Sequence, residues 1–466
     1  MIPRSLAAST LALALGAGSL TAQQVSRAAL VSRIDSLATE FLRTTHTPAI
    51  SVAVLRGSDT LVMKGYGEAS INPRRDANAG TVYRIGSITK QFTSAAIMRL
   101  IERGKLSLDD PMSKYLPDVP LHGHTVTIRQ LLNHTSGIHS YTSSSEWQKT
   151  WSQDLTPRQI VAFVDKDTFD FAPGSAWRYN NTGYVLLGMI IEKITGESYA
   201  NYLQHDLFTP FGLRHTSYCP SKPTDPSFAA GYSTDTGNPL PADYLSMTHP
   251  FAAGALCSTV GDLVTWHRAL AAGRVVNAKS YALMTVPDTL NNGKRLNYGF
   301  GLAPGNVGGH RSISHNGGIN GFTTIGMFFP DDTVNVVVLS NAGNGPDPLA
   351  LNISRAVFGV PLVAGPQPLV AVPLPDAERD RLPGVYELTP PNGGKFIIHV
   401  TVENGQVMTQ AEGPGQGKFP LVHLGNLRFG AAFDPSLRAT FVSENGKIIK
   451  LVLEQGGGRM EGPRRP

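Results

Sequence analysis

The sequence is poor in cysteine and contains none of the common cofactor-binding motifs. Its 466 residues include two cysteines, with no C-x-x-C pair and no Cys/His spacing of the kind that holds zinc. The His122-Gly123-His124 stretch lacks the further Asp and His of a ligand cluster, so we interpret it as a loop. Glycine-rich loops that bind nucleotide phosphates are also absent. The sequence therefore predicts no metal site and no cofactor.

Charge of one sign is not concentrated anywhere along the chain. The 40 Lys and Arg residues exceed the 35 Asp and Glu residues and give a formal net charge of +5, but they are scattered and form no basic run. No stripe of aromatic and basic residues accompanies them, so we predict no nucleic-acid partner. Hydrophobic residues make up 41% of the chain, which is typical of a folded globular protein, and the length favours two domains.

Long hydrophobic runs are missing apart from one near the N-terminus. Arg4 is followed by an apolar stretch over residues 6–18 and then by small residues up to Ala22, the pattern of a secretory signal peptide. A membrane anchor is the alternative, but the run is too short to span a bilayer comfortably. We therefore predict a signal peptide over residues 1–22, a periplasmic or secreted protein, and no membrane span after the signal is removed.

Export bears on the two cysteines, Cys219 and Cys257. Disulfides persist in oxidising compartments, and two cysteines allow one pairing. We therefore treat Cys219 and Cys257 as a disulfide candidate. Two buried free thiols are the alternative, because the sequence says nothing about the separation of the Cα atoms.

Strand patterns lie at both ends of the first three quarters of the chain, and helical patterns lie between them. We therefore predict an α/β (α+β) fold with one antiparallel β-sheet flanked by helices and an all-helical lobe. The apolar periodicities indicate helices at residues 25–45 and 87–103 and strands at residues 50–55, 60–66, 311–316, 322–329 and 334–339.

A proline-rich stretch divides the chain, since residues 361–375 carry five prolines. Beyond it, short strand-like runs alternate with Asn-Gly and glycine-rich turns, which predicts a small antiparallel, β-barrel-like domain. We expect four parts: a signal peptide (1–22), a main domain (23–362), a linker (363–375) and a β domain (376–466).

The first motif that suggests chemistry is Ser87-Ile88-Thr89-Lys90, the one S-x-x-K in the chain. A spacing of three residues on a helix puts the Ser87 hydroxyl and the Lys90 amine on one face, within reach of each other. A solvated helix lysine is the alternative. Two features favour chemistry: Ser87 opens the helix directly after Gly86, and Lys90 lies in an apolar turn, where desolvation lowers the pKa of an amine and lets it act as a base.

Two further motifs are Tyr179-Asn180-Asn181 and His315-Asn316-Gly317-Gly318. The first lies in a Pro/Gly-rich loop, from which a tyrosine can aim its phenol at a nucleophile, and a nearby cation would stabilise the phenolate. The second ends a predicted strand with glycines that let a substrate approach the sheet edge. A packed tyrosine and a structural histidine are the alternatives. Another Tyr-x-Asn, which ends at Asn201, lies in a helical stretch and is interpreted as a coincidence.

In chain order, S-x-x-K, Y-x-N and H-x-G make the sequence similar to the serine penicillin-recognising enzymes, which include class C β-lactamases, penicillin-binding proteins, D-aminopeptidases and related esterases. Segments 83–92, 106–111, 131–137 and 257–266 also resemble that family. The similarity covers about the first three quarters of the chain and implies a β-lactamase/transpeptidase-like fold there. The tail from about Asp376 more loosely resembles the lipocalin-like β domain found fused to many such hydrolases.

The resemblance assigns catalytic roles to the first two motifs. It implies that Ser87 is the nucleophile that becomes acylated and that Lys90 and Tyr179 share the proton transfers. Asn181 would orient the lysine or the substrate amide.

The resemblance assigns substrate binding to His315, Gly317 and Gly318, with the N–H groups of Ser87 and Gly318 as the oxyanion hole. His315 stands where class C β-lactamases have lysine, and Asn316 stands where threonine is usual. A histidine is mostly neutral at pH 7 and holds a carboxylate more weakly than lysine does. We therefore predict that small esters are hydrolysed more readily than penicillins.

Together these features predict an exported serine hydrolase that acts through an acyl-enzyme on an ester or amide bond of a small-molecule or short-peptide substrate. Esterase, D-peptidase and β-lactamase activities stay open, and we expect loops at residues 139–153 and 219–249 to line the pocket and set the preference. The alternative is a catalytically weak penicillin-binding or ligand-sensing member of the same fold. An α/β-hydrolase lacks support because the chain has no G-x-S-x-G motif.

Overall fold

The structure is a computed structural model of the chain. The predicted signal peptide, residues 1–22, lies outside the described residues, and so does part of the predicted linker. The described residues are 26–234, 238–363, 369, 371–389, 395–403, 405–412, 418–431, 434–455 and 458–465, with the side chains of residues 434–436 excepted.

Most of the helices lie between residues 89 and 285. Among the helices of the described chain, none has the length and apolar character needed to cross a membrane. The α-helices are α1 (Arg27–Thr45), α2 (Thr89–Glu102), α3 (Ile128–Leu132), α4 (Ser145–Gln148), α5 (Pro157–Ala162), α6 (Asn181–Thr195), α7 (Tyr199–Leu203), α8 (Phe251–Gly254), α9 (Val260–Ala271), α10 (Ala278–Thr285), α11 (Asp347–Phe358) and α12 (Asp376–Arg379). Short 3-10 helices cover Gly86–Ile88, Met112–Lys114 and Tyr141–Ser143, and a π-helix covers Gln204–Phe208.

The strands fall into two groups, one in the main domain and one near the C-terminus. The first group is β1 (Ala49–Arg56), β2 (Asp59–Ser70), β3 (Arg75–Asp76), β4 (Tyr83–Arg84), β5 (Ser217–Tyr218), β6 (Tyr232–Ser233), β7 (Leu240–Pro241), β8 (Leu256–Ser258), β9 (Ala303–Val307), β10 (His310–Ile319), β11 (Phe322–Phe329) and β12 (Val334–Ser340). The second group is β13 (Gly384–Leu388), β14 (Phe396–Glu403), β15 (Gln406–Ala411), β16 (Phe419–Pro420), β17 (Val422–His423), β18 (Arg428–Ala431), β19 (Asp434–Glu444), β20 (Lys447–Gln455) and β21 (Gly458–Pro463).

Seven strands form the main sheet, in the order β3-β2-β1-β12-β11-β10-β9. Neighbouring strands are antiparallel, and β1 aligns with β12 so that Ile50 lies opposite Ser340. Strands from both ends of the main domain therefore meet at the centre of one sheet, which confirms the predicted antiparallel arrangement. One prediction was wrong in detail: β10 runs on to Ile319, so the His315 motif lies within the strand and not at its end.

Helices cover both faces of the main sheet. Along β1, Val52 and Val54 pack in the cluster that includes α1 and α11, whereas Ala53 and Leu55 pack in the cluster that includes α2 and α9. This alternation follows from the period of two residues in a strand. Because both faces are buried, β1 is apolar at nearly every position.

The helical lobe is built around α2 and α6. In α2, 11 of 14 residues are buried, and Phe92 stacks on Trp266 of α9 with ring centroids 4.1 Å apart. A helix buried on most sides keeps a lysine on it away from water. The predicted helix over residues 87–103 is confirmed in its body, but its first turn is the 3-10 helix Gly86–Ile88, and Ser87 therefore precedes the first α-helical turn.

Cys219 and Cys257 form a disulfide, with their Cα atoms 5.1 Å apart. Cys257 lies in β8, which pairs with β5 on one side and with β4 on the other. Because β4 ends two residues before Gly86, the bond anchors the segment after β5 to the small sheet that leads into Ser87.

The C-terminal strands form a four-stranded sheet, β13-β14-β15-β16, and a five-stranded sheet, β17-β18-β19-β20-β21. Isolated bridges join Tyr386 to Arg464 and Thr389 to Glu461, at the edges where β13 and β21 meet. Both sheets share one cluster of buried side chains between Leu382 and Leu453. The antiparallel β character is as predicted, but the described strands make two sheets and not one closed barrel. The lipocalin-like resemblance and the domain boundaries stay predictions.

Candidate active site

Ser87 is held where two backbone segments approach each other closely. Gly86 has a φ of 50°, and a Cβ on it would lie 2.9 Å from the amide nitrogen of Gly318. A Cβ on Gly317 would lie 2.0 Å from the carbonyl oxygen of Ile85. Both positions therefore require glycine, and their contact brings the Ser87 segment against β10.

Lys90 is fully buried, and three oxygen atoms of other residues surround its amine. Lys90 Nζ lies 3.1 Å from Ser87 Oγ, 2.8 Å from Asn181 Oδ1 and 2.8 Å from the carbonyl oxygen of Ala253. Burial lowers the pKa of Lys90 well below its usual value. No carboxylate is among these contacts, so no opposite charge offsets this effect of burial.

The three contacts of Lys90 suit an ammonium, which donates to all three oxygens, and they also suit a neutral amine. The oxygens of Asn181 and Ala253 can only accept, and a neutral amine has two N–H groups to donate to them. Its lone pair is then left for the third neighbour, the Ser87 hydroxyl, which can donate. The site therefore holds Lys90 in the orientation that a base toward Ser87 needs.

Asn181 is fixed by the start of α6. Asn180 caps this helix, since its side chain accepts a hydrogen bond of 2.6 Å from the Gly183 N–H. Asn181 is the first helical residue, and its amide nitrogen donates to Thr142 Oγ1 at 3.4 Å while its oxygen accepts from Lys90. The cap and these contacts place the Asn181 side chain beside the amine of α2.

Tyr179 packs its ring against Lys90, whose Nζ lies 4.7 Å from the ring centroid. The phenol oxygen is buried and has no hydrogen-bond partner among the described residues. Burial raises the pKa of Tyr179, and the Ser87 hydroxyl opposes this rise. Burial therefore favours the protonated phenol, and the part that Tyr179 takes in proton transfer stays a prediction.

His315 is buried on β10, and both of its ring nitrogens are engaged. Nδ1 lies 2.5 Å from the carbonyl oxygen of Asn316, to which it donates, and Nε2 lies 2.8 Å from the Tyr298 hydroxyl, from which it accepts. Burial lowers the pKa of His315 to about 4, although the hydrogen bond to the Asn316 carbonyl opposes this lowering. The imidazole is therefore neutral, as expected, but in this structure it has no N–H left for a substrate.

His134 is a buried residue of the site that the motif analysis left without a role. Its ring lies against Tyr179, Tyr298 and Tyr184, with centroid separations of 4.4, 4.7 and 5.2 Å. Its Nδ1 accepts a hydrogen bond of 3.1 Å from the Asn180 N–H, while Nε2 is buried with no partner among the described residues. The sequence signal that could have pointed to His134 was the segment 131–137, which resembles the family, although no single residue in it stood out.

A cleft of about 790 Å³ opens beside this cluster. It includes Tyr179 and His315, whereas Ser87 is not part of its lining. The loops 139–153 and 219–249 do not line this cleft. Thr142 of the first loop contacts Asn181 instead, and the expectation that these loops set the substrate preference stays a prediction. Its walls come from parts of the segments 175–179, 290–298 and 314–316, together with Ala303, Ile325 and Asp347.

The histidines considered for a metal site have other contacts. His122 Nε2 lies 3.0 Å from the carbonyl oxygen of Asp165, and the His124 ring lies 4.4 Å from that of Phe169. Across the described part of the chain, no group of three or more His, Cys, Asp or Glu side chains is arranged to hold a metal ion.

The sequence was compared with known protein families and curated proteins. A family model described as Beta-lactamase matches residues 34–358. A penicillin-binding protein of Bacillus subtilis (strain 168) is 32% identical over 311 residues, which span 62% of this chain and 67% of that protein. The matched segment of the family model contains every residue of the cluster around Ser87.

Solved structures were compared as well. The octameric penicillin-binding protein homologue from Pyrococcus abyssi superposes with a TM-score of 0.65 and 26% identity, covering 92% of this chain and 99% of that one. A D-stereospecific amidohydrolase from Streptomyces sp. gives a TM-score of 0.63 and 29% identity over 72% of this chain and 100% of its own. The likeness thus covers more than two thirds of this chain in both cases.

Proposed function

Because this chain belongs to the Beta-lactamase family, we propose that it is a serine hydrolase whose Ser87 is acylated during hydrolysis of an ester or amide bond. The family model covers residues 34–358, and the similar penicillin-binding protein and amidohydrolase support a serine hydrolase-type function. The observation that carries the proposal is the 3.1 Å contact between the buried Lys90 Nζ and the Ser87 hydroxyl.

In the first step, the Ser87 proton passes to the lone pair of Lys90 while Ser87 Oγ bonds to the substrate carbonyl carbon. The carbonyl oxygen becomes an oxyanion that accepts hydrogen bonds from the N–H groups of Ser87 and Gly318. Support comes from the close approach of Gly86 to the Gly318 amide and from the position of Ser87 in the first turn, where N–H groups lack helical acceptors.

In the second step, the bond from the carbonyl carbon to the leaving group breaks, and the leaving group takes the proton of the Tyr179 hydroxyl. The Lys90 ammonium then returns its proton to Tyr179. Because burial raises the pKa of this phenol, it is available as an acid at neutral pH. Water next attacks the acyl-enzyme, Lys90 takes a proton from it, and the same proton returns to Ser87 Oγ as the acid is released.

The proposal is tested by intact-mass labelling with a fluorophosphonate, benzylpenicillin and a p-nitrophenyl ester in parallel. We expect one adduct per chain with the fluorophosphonate and turnover of the ester, and we expect Ser87→Ala to lose both. Ser36→Ala, which removes an exposed hydroxyl on α1, serves as the matched control and should behave as wild type. Ester turnover by Ser87→Ala at the wild-type rate would refute an acyl-enzyme on Ser87.

The same labelling separates hydrolysis from ligand sensing. A penicillin adduct that persists for hours, with no ester turnover, would favour the catalytically weak penicillin-binding alternative. Export to the periplasm or outside the cell is also part of the proposal, and it rests on the pattern of residues 1–22. If the protein isolated from cells still carried residues 1–22, this would contradict the proposed export.

A further inference from the structure

A carboxylate lies in the wall of the cleft beside the site. Asp347, the first residue of α11, lines the cleft and is half-buried. Its Oδ1 accepts a hydrogen bond of 3.0 Å from the side-chain amide of Asn316. Burial raises the pKa of Asp347, although the bond from Asn316 and a hydrogen bond from the backbone N–H of Asp347 itself oppose this rise.

No cationic side chain compensates this carboxylate. Among the described residues, none forms an ion pair with Asp347, and its one side-chain partner is the neutral Asn316. The neighbouring His315 is neutral and already engaged through both ring nitrogens. Lys294 and Arg295 belong to the cleft but are exposed. A partly desolvated carboxylate with no cation gains from one supplied by a ligand.

The carboxylate is also close to the place where the reaction would occur. Asn316 and Gly318 are two residues apart on β10, both are exposed, and positions two apart in a strand face the same side. Their Cα atoms are thus about 6 to 7 Å apart. We therefore expect a group held by Asp347 to lie near a carbonyl whose oxygen is at the Gly318 N–H.

We propose that Asp347 binds a cationic group of the substrate, so that the acyl substrates preferred by this site carry a protonated amine near the scissile carbonyl. This inference rests on the proposed function, and it names the substrate class of the same site. A substrate with a carboxylate at that position meets a like charge and is disfavoured.

The test compares two methyl esters of the same shape in a pH-stat. Alanine methyl ester, in both enantiomers, carries an ammonium group where methyl isobutyrate carries a methyl group. At about pH 6 the amine is protonated, since α-amino groups titrate near 7.7. For the wild-type protein, we expect a kcat/KM ratio of ammonium ester to neutral ester of about tenfold or more, for at least one enantiomer, which corresponds to about 1.4 kcal/mol.

Asp347→Asn keeps the shape and the acceptor for Asn316 but removes the charge, and we expect it to lower this ratio to about one. Asp331→Asn removes an exposed carboxylate that pairs with Arg311 outside the cleft, and its ratio should match the wild type. Asp347→Lys should invert the preference, so that monomethyl methylmalonate, with a carboxylate at the same position, is hydrolysed faster than the ammonium ester.

The outcomes separate the two proposals. If the wild type hydrolyses both esters with equal kcat/KM and Asp347→Asn leaves the ratio unchanged, the role of Asp347 is overturned while the serine hydrolase stands. If no ester is hydrolysed and the fluorophosphonate does not label Ser87, the proposed function fails and this inference fails with it. A ratio that falls in Asp347→Asn and in Asp331→Asn alike would show a general charge effect and would also overturn it.

Discussion

The amine of Lys90 and the side-chain oxygen of Asn181 lie 2.8 Å apart, although 91 residues separate them in the chain. This hydrogen bond joins the last residue of the first motif to the last residue of the second, and it links α2 to the first turn of α6. It also uses one of the two N–H groups of a neutral Lys90. The protonation state of Lys90 is therefore sensitive to the side chain at position 181.

We predict that Asn181→Asp moves the acid limb of the pH–rate profile to higher pH. A carboxylate beside Lys90 would stabilise the ammonium form and raise its pKa against the lowering by burial. Because the amine must be neutral to accept the Ser87 proton, the limb should shift upward by about one unit or more, with about a tenfold loss near neutral pH. The measurement is kcat/KM for a p-nitrophenyl ester against pH.

The control for this prediction is Asn201→Asp. Asn201 ends the second Tyr-x-Asn of the chain, and it lies exposed on α7, away from the Lys90 contacts. The same change of charge there should leave the profile where the wild type has it. An unshifted profile in Asn181→Asp, with activity still measurable, would mean that Lys90 is not the titrating base.

The disulfide is predicted to contribute to stability. Cys219 and Cys257 are 38 residues apart in the chain, and the loop-entropy estimate for such a closure is about 4 kcal/mol at 25 °C. We expect Cys219→Ser with Cys257→Ser to lower the midpoint of urea unfolding, and reductant to lower that of the wild type but not of the double variant. Two free thiols in protein isolated without reductant would disprove the bond.

Buried histidines predict a loss of stability in acid. His267 is fully enclosed by α9 and the sheet, where a Cβ on Gly326 would lie 2.8 Å from its ring, and burial lowers its pKa to about 4. An unfolded histidine titrates near 6.5, so the unfolded state binds the extra proton between about pH 6.5 and 4. The stability due to neutral His267 is therefore present above pH 6.5 and lost as the pH falls, by about 2 kcal/mol at pH 5.

The matching experiment compares urea unfolding at about pH 7, above that interval, and at about pH 5, within it. His267→Gln should lose less free energy of unfolding between the two pH values than the wild type does. His399→Gln, which removes a partly exposed histidine of the C-terminal strands, should lose as much as the wild type. An equal loss in His267→Gln would show that His267 does not carry this pH dependence.

Local sequence patterns were sufficient to predict the strands of the main sheet and to find the motifs. The central strands are short apolar runs, and a strand buried on both faces leaves that signature in the sequence. Ser87 and Lys90 are three residues apart, so helix geometry alone predicts their contact. The family resemblance then supplied the pairing of this motif with Asn181, which periodicity cannot give.

Tertiary placement explains what the sequence did not reveal. Tyr298 lies in a loop with no motif, and it reaches the site only because this loop packs on β10, where it meets His315. Asp347 is 31 residues beyond Asn316, at the start of a helix, where an acidic residue is common for local reasons. The sequence likewise could not show that segment 290–298 lines the cleft, since which loop lies over a sheet depends on packing between distant segments.

The last prediction concerns His315→Lys. In the structure His315 is neutral, accepts a hydrogen bond from Tyr298 and donates to the carbonyl of Asn316, so it offers a substrate carboxylate neither charge nor donor. A lysine there would supply a cation and would also release the Tyr298 hydroxyl. We expect the rate of penicillin acylation at Ser87 to rise about tenfold relative to p-nitrophenyl ester hydrolysis.

His315→Lys adds a cation and also breaks the bond to Tyr298. Tyr298→Phe tests the loss of that bond alone. It frees His315 Nε2 from its bond to Tyr298 without adding a positive charge, so it should leave the ratio of penicillin acylation to ester hydrolysis close to that of the wild type. Combining His315→Lys with Asp347→Asn should raise the ratio further, since the added cation would act without an opposing carboxylate nearby. A wild-type protein that hydrolyses penicillin with a higher kcat/KM than every ester tested would show that His315 does not set the preference.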